Sequence, residues 1–187
     1  MSHNEPWSME FPRHGLLHPE MNPVYSTLEQ PHLEFAFECR LKFTRVLAIP
    51  NVPNGGFRSA VLVDEGTFQG PTLRGRAIAN SGGDYAHFRD DDTAVFDARY
   101  LLEVDDGTLI YMQNRGFLWG RAPDAMARLR AWAFDGGPPV AHEDYYLRAQ
   151  PTFETPKGKH DWLTRHVFIG VGERRPDGNF VRYFALT

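Results

Sequence analysis

Apolar and polar residues alternate with a period of two along most of this chain. The alternation is cleanest from Leu33 to Phe43, where Leu33, Phe35, Phe37, Cys39, Leu41 and Phe43 are separated by Glu34, Ala36, Glu38, Arg40 and Lys42. Successive strand side chains point to opposite faces, so the pattern predicts a strand with one buried and one wet face. A turn cluster, Asn51-Val52-Pro53-Asn54-Gly55-Gly56, precedes a second extended stretch, Phe57 to Asp64, and Gly66, Gly70-Pro71 and Gly75 punctuate a third, Thr72 to Ala79. Gly82-Gly83 leads into a hairpin built around Asp106-Gly107, with alternating strands on either side. From Pro123 to Phe134 the period changes: Asp124, Ala125, Met126, Leu129 and Trp132 fall at helical spacings, and Asp135-Gly136-Gly137-Pro138-Pro139 stops the helix. Strands then follow at Tyr145 to Phe153 and His166 to Arg174, and a hairpin at Pro176-Asp177-Gly178-Asn179 returns Phe180 to Leu186.

Many short strands with a single helix predict an all-β antiparallel fold, a sandwich or a barrel, and glycine-rich strand ends favour a closed or nearly closed barrel. The short helix is placed to cover one mouth. Residues 1–32 carry Pro6, Pro12, Pro19, Pro23 and Pro31 without a sustained period and read as an irregular arm; residues 33–187 form the barrel domain. Trp7, Phe11, Leu16 and Leu17 in the arm suggest that part of it docks on the domain or on a second subunit.

With 187 residues, 14 Phe and 4 Trp, the chain is long and aromatic enough for a substantial core. Its formal charge of −4 and lack of a dense Lys/Arg cluster make nucleic acid and anionic membranes poor partners. One cysteine, Cys39, excludes an intrachain disulfide. No apolar run is long enough to span a bilayer and no leader pattern opens the chain, so a cytoplasmic protein is expected.

The series Gly55-Gly56-Phe57-Arg58, Gly70-Pro71-Thr72-Leu73-Arg74-Gly75, Gly82-Gly83-Asp84, Asp97-Ala98-Arg99-Tyr100, Asp106-Gly107-Thr108-Leu109-Ile110-Tyr111, Tyr146-Leu147-Arg148, Pro151-Thr152-Phe153-Glu154-Thr155 and Trp162-Leu163 resembles the bacterial and fungal domain-of-unknown-function family thirty-two thirty-seven. The resemblance covers about residues 33–187. It implies a compact antiparallel barrel of lipocalin-like architecture with no assigned general activity, and, from relatives in catabolic or natural-product pathways, small organic substrates. The chain departs from the family pattern in its Pro-rich arm, in Tyr85 where a tryptophan is usual, and in His160 where a tyrosine often precedes the Trp-Leu pair.

Candidate chemistry gathers in pairs. Asp97 with Arg99, and Tyr146 with Arg148, each share one strand face by period two; Asp84 and His87 add an acid and a base. Whether Asp97 and Arg99 matter depends on which face of their strand is inside: the opposite face carries Ala98, Tyr100, Leu102 and Val104. Facing inward, these groups would share a low-dielectric cavity in which pKa values move and proton transfer near neutrality becomes feasible. Facing outward, Asp97 and Arg99 are an ordinary solvated pair. A structural ion-pair network closed by Glu154 is the competing account of buried arginines here. His160 follows the Lys157-Gly158-Lys159 loop and titrates in a useful range. We therefore expect Asp97, Arg99, Tyr146, Arg148 and His160 as catalytic candidates, and Arg58, Asp84, His87, Tyr111, Phe153, Glu154 and Trp162 around a ligand.

No metal or cofactor is expected: the eight histidines are scattered without a paired motif, Gly170-Val171-Gly172 lacks the rest of a dinucleotide fingerprint, and no nucleophile-turn motif accompanies Ser59 or Ser81. The reading is a cofactor-independent enzyme, an isomerase, lyase or cyclase, acting by acid/base catalysis on a small, partly apolar carbonyl compound. The alternative is a lipocalin-like binder that performs no chemistry. A homodimer strapped by the arm is compatible with both.

Overall fold

In the computed structural model, which describes residues 30–187, the alternating segments form a ten-stranded antiparallel sheet that closes on itself. Its strands are β1 (Leu33–Ile49), β2 (Phe57–Gln69), β3 (Arg74–Ala77), β4 (Gly83–Asp84), β5 (His87–Phe88), β6 (Ala94–Val104), β7 (Leu109–Gly120), β8 (Tyr145–Glu154), β9 (Phe168–Arg175) and β10 (Gly178–Leu186). β3, β4 and β5 lie end to end in one slot between β2 and β6, so the closed barrel has eight strand positions, with the β1–β2 and β1–β10 ladders completing the ring. Residues 1–29 of the Pro-rich arm, with Trp7, Phe11, Leu16, Leu17 and the expected subunit strap, lie outside the described residues.

The β6–β7 hairpin is the one the alternation predicts, with Tyr100 opposite Met112 and Ala98 opposite Asn114. Its turn uses Gly107 at φ 84°, a conformation in which a Cβ is costly. β1 differs from its pattern. A bulge between Phe35 and Phe37 shifts the phase, so Phe37, Cys39 and Leu41 face inward while Leu33 and Phe35 are exposed, Phe35 meeting Phe184 edge-on at 5.9 Å on the outside. β1 and β2 also run further than the alternation suggests, because their mutual ladder continues from Glu38↔Gln69 to Ile49↔Arg58.

The interior is divided by side-chain size. At the end carrying the Asp106-Gly107 turn it is filled by aromatic rings: Phe37 packs on Phe68, Phe153 and Tyr183, and Phe153 packs on Phe168. Burying each such ring contributes about 1.5–3 kcal/mol. A 3₁₀ helix, Asp161–Arg165, closes that end with buried Leu163. At the other end the inward positions are small, Ala94, Ala98, Ala149 and Gly172 among them, and the space they leave is open. Helix α1 (Ala125–Phe134) lies over this mouth, turning buried Met126 and Leu129 to the opening. Arg128 ties the helix to the barrel through Asp144 at 2.9 Å. Among the described residues no helix is long and apolar enough to cross a membrane.

Candidate functional site

The small residues of the upper barrel leave a cavity of about 310 Å3, within the range usual for small-molecule sites and lined mainly by apolar side chains. Polar groups converge on it from several strands: Ser59 on β2, Asp84 on β4, Tyr100 on β6, Asn114 on β7, and Arg174 and Asn179 on β9 and β10.

Asp84 reaches the cavity because of its two glycines. A Cβ on Gly82 would lie 1.9 Å from the Arg99 carbonyl oxygen, and one on Gly83 2.6 Å from that of Val61, so only glycine lets this short segment fit between β2 and β6. The fit pairs Asp84 with Val61 and Ala98, and Ala98 is an inward position, so the carboxyl faces inward as well. One carboxyl oxygen accepts the Asp97 backbone N–H at 3.0 Å. Burial pushes the Asp84 carboxyl up to about 7; the Asp97 N–H and the positive charge of Arg174 pull against that, and the Asp97 carboxylate adds to it.

Arg174 lies on the period-two series Phe168, Gly170, Gly172, Arg174 along β9. Its guanidinium donates to Asn179 Oδ1 at 3.0 Å and lies 5.8 Å from the centre of the Phe43 ring. Among the described residues no carboxylate comes within ion-pair distance of it, and burial depresses its basicity. Asn114 donates to the Tyr183 hydroxyl at 3.0 Å. Ser59 Oγ, Tyr100 OH and Asn114 Oδ1 have no hydrogen-bond partner. These three orphaned atoms all belong to residues of the cavity wall, whereas buried polar atoms are normally satisfied.

Of the residues expected from sequence, Asp84 alone lines this cavity. Asp97 and Arg99 sit on the outer face of β6, because Ala98 and Tyr100 are the inward positions; the pair is the solvated alternative. Asp97 takes two hydrogen bonds from Arg99, at 3.1 and 3.0 Å, and one from Gln113 at 2.9 Å, which hold its carboxyl down at about 2, Arg99 contributing most. Tyr111 and Glu154 face each other across β7 and β8 on the same outer surface. Tyr146 and Arg148 are also outside: Tyr146 stacks on Trp119 at 5.2 Å and Arg148 lies over the Tyr146 ring at 5.0 Å. Arg58 is exposed on β2 and His87 donates to the Gly55 carbonyl at the rim, at 2.9 Å.

His160 is buried, 2% exposed, but at the closed end, where Nε2 donates to Asp106 at 2.9 Å and Nδ1 has no partner. Phe153 points inward in the aromatic plug at that end, and Trp162 packs there against Phe168 at 5.8 Å. The expected network of Asp97, Arg99, Tyr146, Arg148 and Glu154 is thus an outer surface, corrected by the strand phase. Arg174, Tyr100, Asn114 and Ser59 were not anticipated. A period of two from Ala98 along β6 reaches Tyr100 and from Phe168 along β9 reaches Arg174, whereas Asn114 faces inward by its register opposite Ala98. Among the described residues, no three His, Cys, Asp or Glu side chains are grouped to hold a metal ion.

A UPF0311 protein of Rhodopseudomonas palustris is 28% identical over 145 residues, 75% of this chain and 90% of its own. The crystal structure of a β-barrel-like protein from Acinetobacter baumannii superposes with a TM-score of 0.72 at 28% identity, covering 86% of this chain and 98% of that one. A structure from Penicillium herquei, described as an enzyme, superposes with a TM-score of 0.62 at 19% identity over 86% of this chain and 97% of that one, a likeness of fold alone. Barrel, closing ladders and family motifs coincide over the same stretch: the family model described as Protein of unknown function (DUF3237) matches residues 31–186, and the chain belongs to that family.

Proposed function

We propose that the barrel is a cofactor-independent enzyme that moves a proton on a small, partly apolar carbonyl compound held in the upper cavity. The observation that carries this reading is Asp84: a carboxyl on the wall of an apolar cavity, pushed up to about 7, which shares that cavity with the partly buried guanidinium of Arg174 and makes no ion pair with it. A general base is most effective when its pKa is near the working pH, and Asp84 meets that condition. In its ionised form Asp84 takes a proton from the carbon next to the carbonyl. The electron pair moves onto the carbonyl oxygen, where Arg174 balances the developing enolate charge. Asp84, now protonated, returns the proton at the same or a conjugated carbon, or the enolate carbon closes onto a second carbonyl of the same molecule, whose C=O pair moves onto oxygen and takes the Asp84 proton. Isomerisation and ring closure are two exits from one enolate.

The test is deuterium exchange in heavy water with benzoylacetone and 2-indanone, followed by NMR. Wild-type protein accelerates exchange at the carbon next to the carbonyl over buffer, and Asp84→Asn abolishes the acceleration. Compounds that bind in the cavity yet exchange no faster than in buffer would leave a carrier as the better description, which the orphaned polar atoms of the cavity wall would equally serve.

A further inference from the structure

Arg174 is a largely buried cation whose balancing charge is missing. Its guanidinium has five N–H donors, of which one hydrogen bond, to Asn179 Oδ1, accounts for part. The carboxylates close to it in sequence are engaged elsewhere: Glu173 pairs with Arg175 at 3.3 Å and Asp177 with Arg40 at 3.4 Å. Asp84, the remaining carboxyl of the cavity wall, makes no ion pair with it. Burying an unpaired cation is costly, and the cost is recovered when an anion arrives. Two further arginines, Arg45 and Arg130, line the same cavity, in a protein whose formal charge is −4. The ring of Phe43 lies 5.8 Å from the guanidinium. A planar, forked donor of this kind matches a carboxylate.

We propose that the ligand of the cavity is a small carboxylate with an apolar body, its carboxylate held on Arg174 and its body against Ala98, Ala149 and Gly172. The carboxylate takes one edge of the guanidinium and leaves its remaining donors for the carbonyl oxygen of a 2-oxo acid, and Asn179 orients the guanidinium from the side. The reading names the substrate class of the site described above, and it rests on that reading only for the cavity being the site, not for the chemistry performed there. The small residues set the shape of the apolar end: a Cβ on Gly172 would already lie 2.6 Å from Leu147 Cγ.

The experiment is calorimetric titration at pH 6 of phenylpyruvate, 3-phenylpropanoate and 1-naphthoate, each against its methyl ester, with melting curves for every variant. At least one acid binds about tenfold or more tighter than its ester, as expected for a charge-assisted hydrogen-bonded pair. Arg174→Met reduces that preference to within about twofold while melting at or above the wild-type temperature, since it removes an uncompensated buried charge. Arg174→Lys keeps the charge without the fork and falls between. Three results would each overturn the proposal: no acid outbinding its ester, a preference that survives Arg174→Met, or an Arg174→Met protein that melts below wild type, which would mark the guanidinium as paired within the fold. An acid preference without deuterium exchange leaves the carboxylate site standing and removes the catalytic reading. Exchange that needs Asp84, without an acid preference, does the reverse.

Discussion

Asp84 and Arg174 face one cavity from β4 and β9, and neither neutralises the other. Burial in an apolar chamber acts on both, raising the carboxyl and lowering the guanidinium, which stays cationic. A pair drawn together would be a closed salt bridge and chemically inert. Held apart, the two leave room for a third group between them.

The raised pKa of Asp84 makes a prediction about stability. Between the unfolded value of 3.8 and about 7 the folded protein holds a proton that the unfolded chain has lost, so this group's contribution is complete below 3.8 and declines as pH rises through the window. The decline amounts to on the order of 4 kcal/mol at about 1.4 kcal/mol per pH unit. Urea unfolding at pH 5 and pH 8 should show wild type losing stability relative to Asp84→Asn over that interval. Equal pH slopes for the two proteins would mean that Asp84 titrates normally.

Exchange activity has its own pH dependence. Asp84 acts as a base only when ionised, so the rate rises with pH along a one-proton limb centred near 7. Arg174 lowers the carboxyl, so Arg174→Met moves the midpoint upward. A pH–rate profile that is flat from 5 to 9 would exclude Asp84 as the base.

Filling the cavity separates binding from folding. Ala98 lies directly opposite both Asp84 and Asn114, so Ala98→Leu places four-carbon bulk where a ligand sits. Binding of any cavity ligand should weaken by about tenfold or more, while added apolar contact leaves the melting temperature near wild type. Undiminished binding would locate the ligand elsewhere.

The outer network makes a contrasting prediction. Arg99 is half exposed and its partner Asp97 faces solvent, away from the cavity. Arg99→Met therefore retains full exchange activity and binding, and its effect is confined to a modest change in melting temperature that diminishes in high salt.

At the closed end, His160 is buried against Asp106, whose carboxyl is driven far below the usual range, chiefly by the His160 hydrogen bond. His160→Ala removes that bond and leaves a void, destabilising the fold by about 1–3 kcal/mol. Catalytic constants measured on the folded variant should be unchanged; a loss of turnover in fully folded protein would return His160 to the chemistry.

The strands, the Asp106-Gly107 hairpin and the helix at the mouth are legible in the sequence because period-two and helical spacing follow directly from backbone geometry. Inside and outside are harder to read. On β6 the alternation presents Asp97 and Arg99 as conspicuous chemistry and Ala98 and Tyr100 as filler, yet the filler face is the cavity wall. Asp84 is visible beside its glycines, but its inward direction depends on the register with Val61 and Ala98. Arg174 sits at a strand end, where the charge reads as a polar turn, and only closure of the ring brings it opposite Asp84. The bulge between Phe35 and Phe37 is hidden in the sequence, because the apolar/polar alternation runs unbroken through it.

The state of Asp84 is read directly by a carbon-13 NMR titration of the aspartate side-chain carboxyl carbons, with the Asp84 resonance assigned by its loss in Asp84→Asn. Asp84 should titrate with a midpoint near 7, moving higher in Arg174→Met. A midpoint near the ordinary carboxylate value of about 4 would contradict it, because Asp84 would then be an ionised, solvated group with no special place in the cavity.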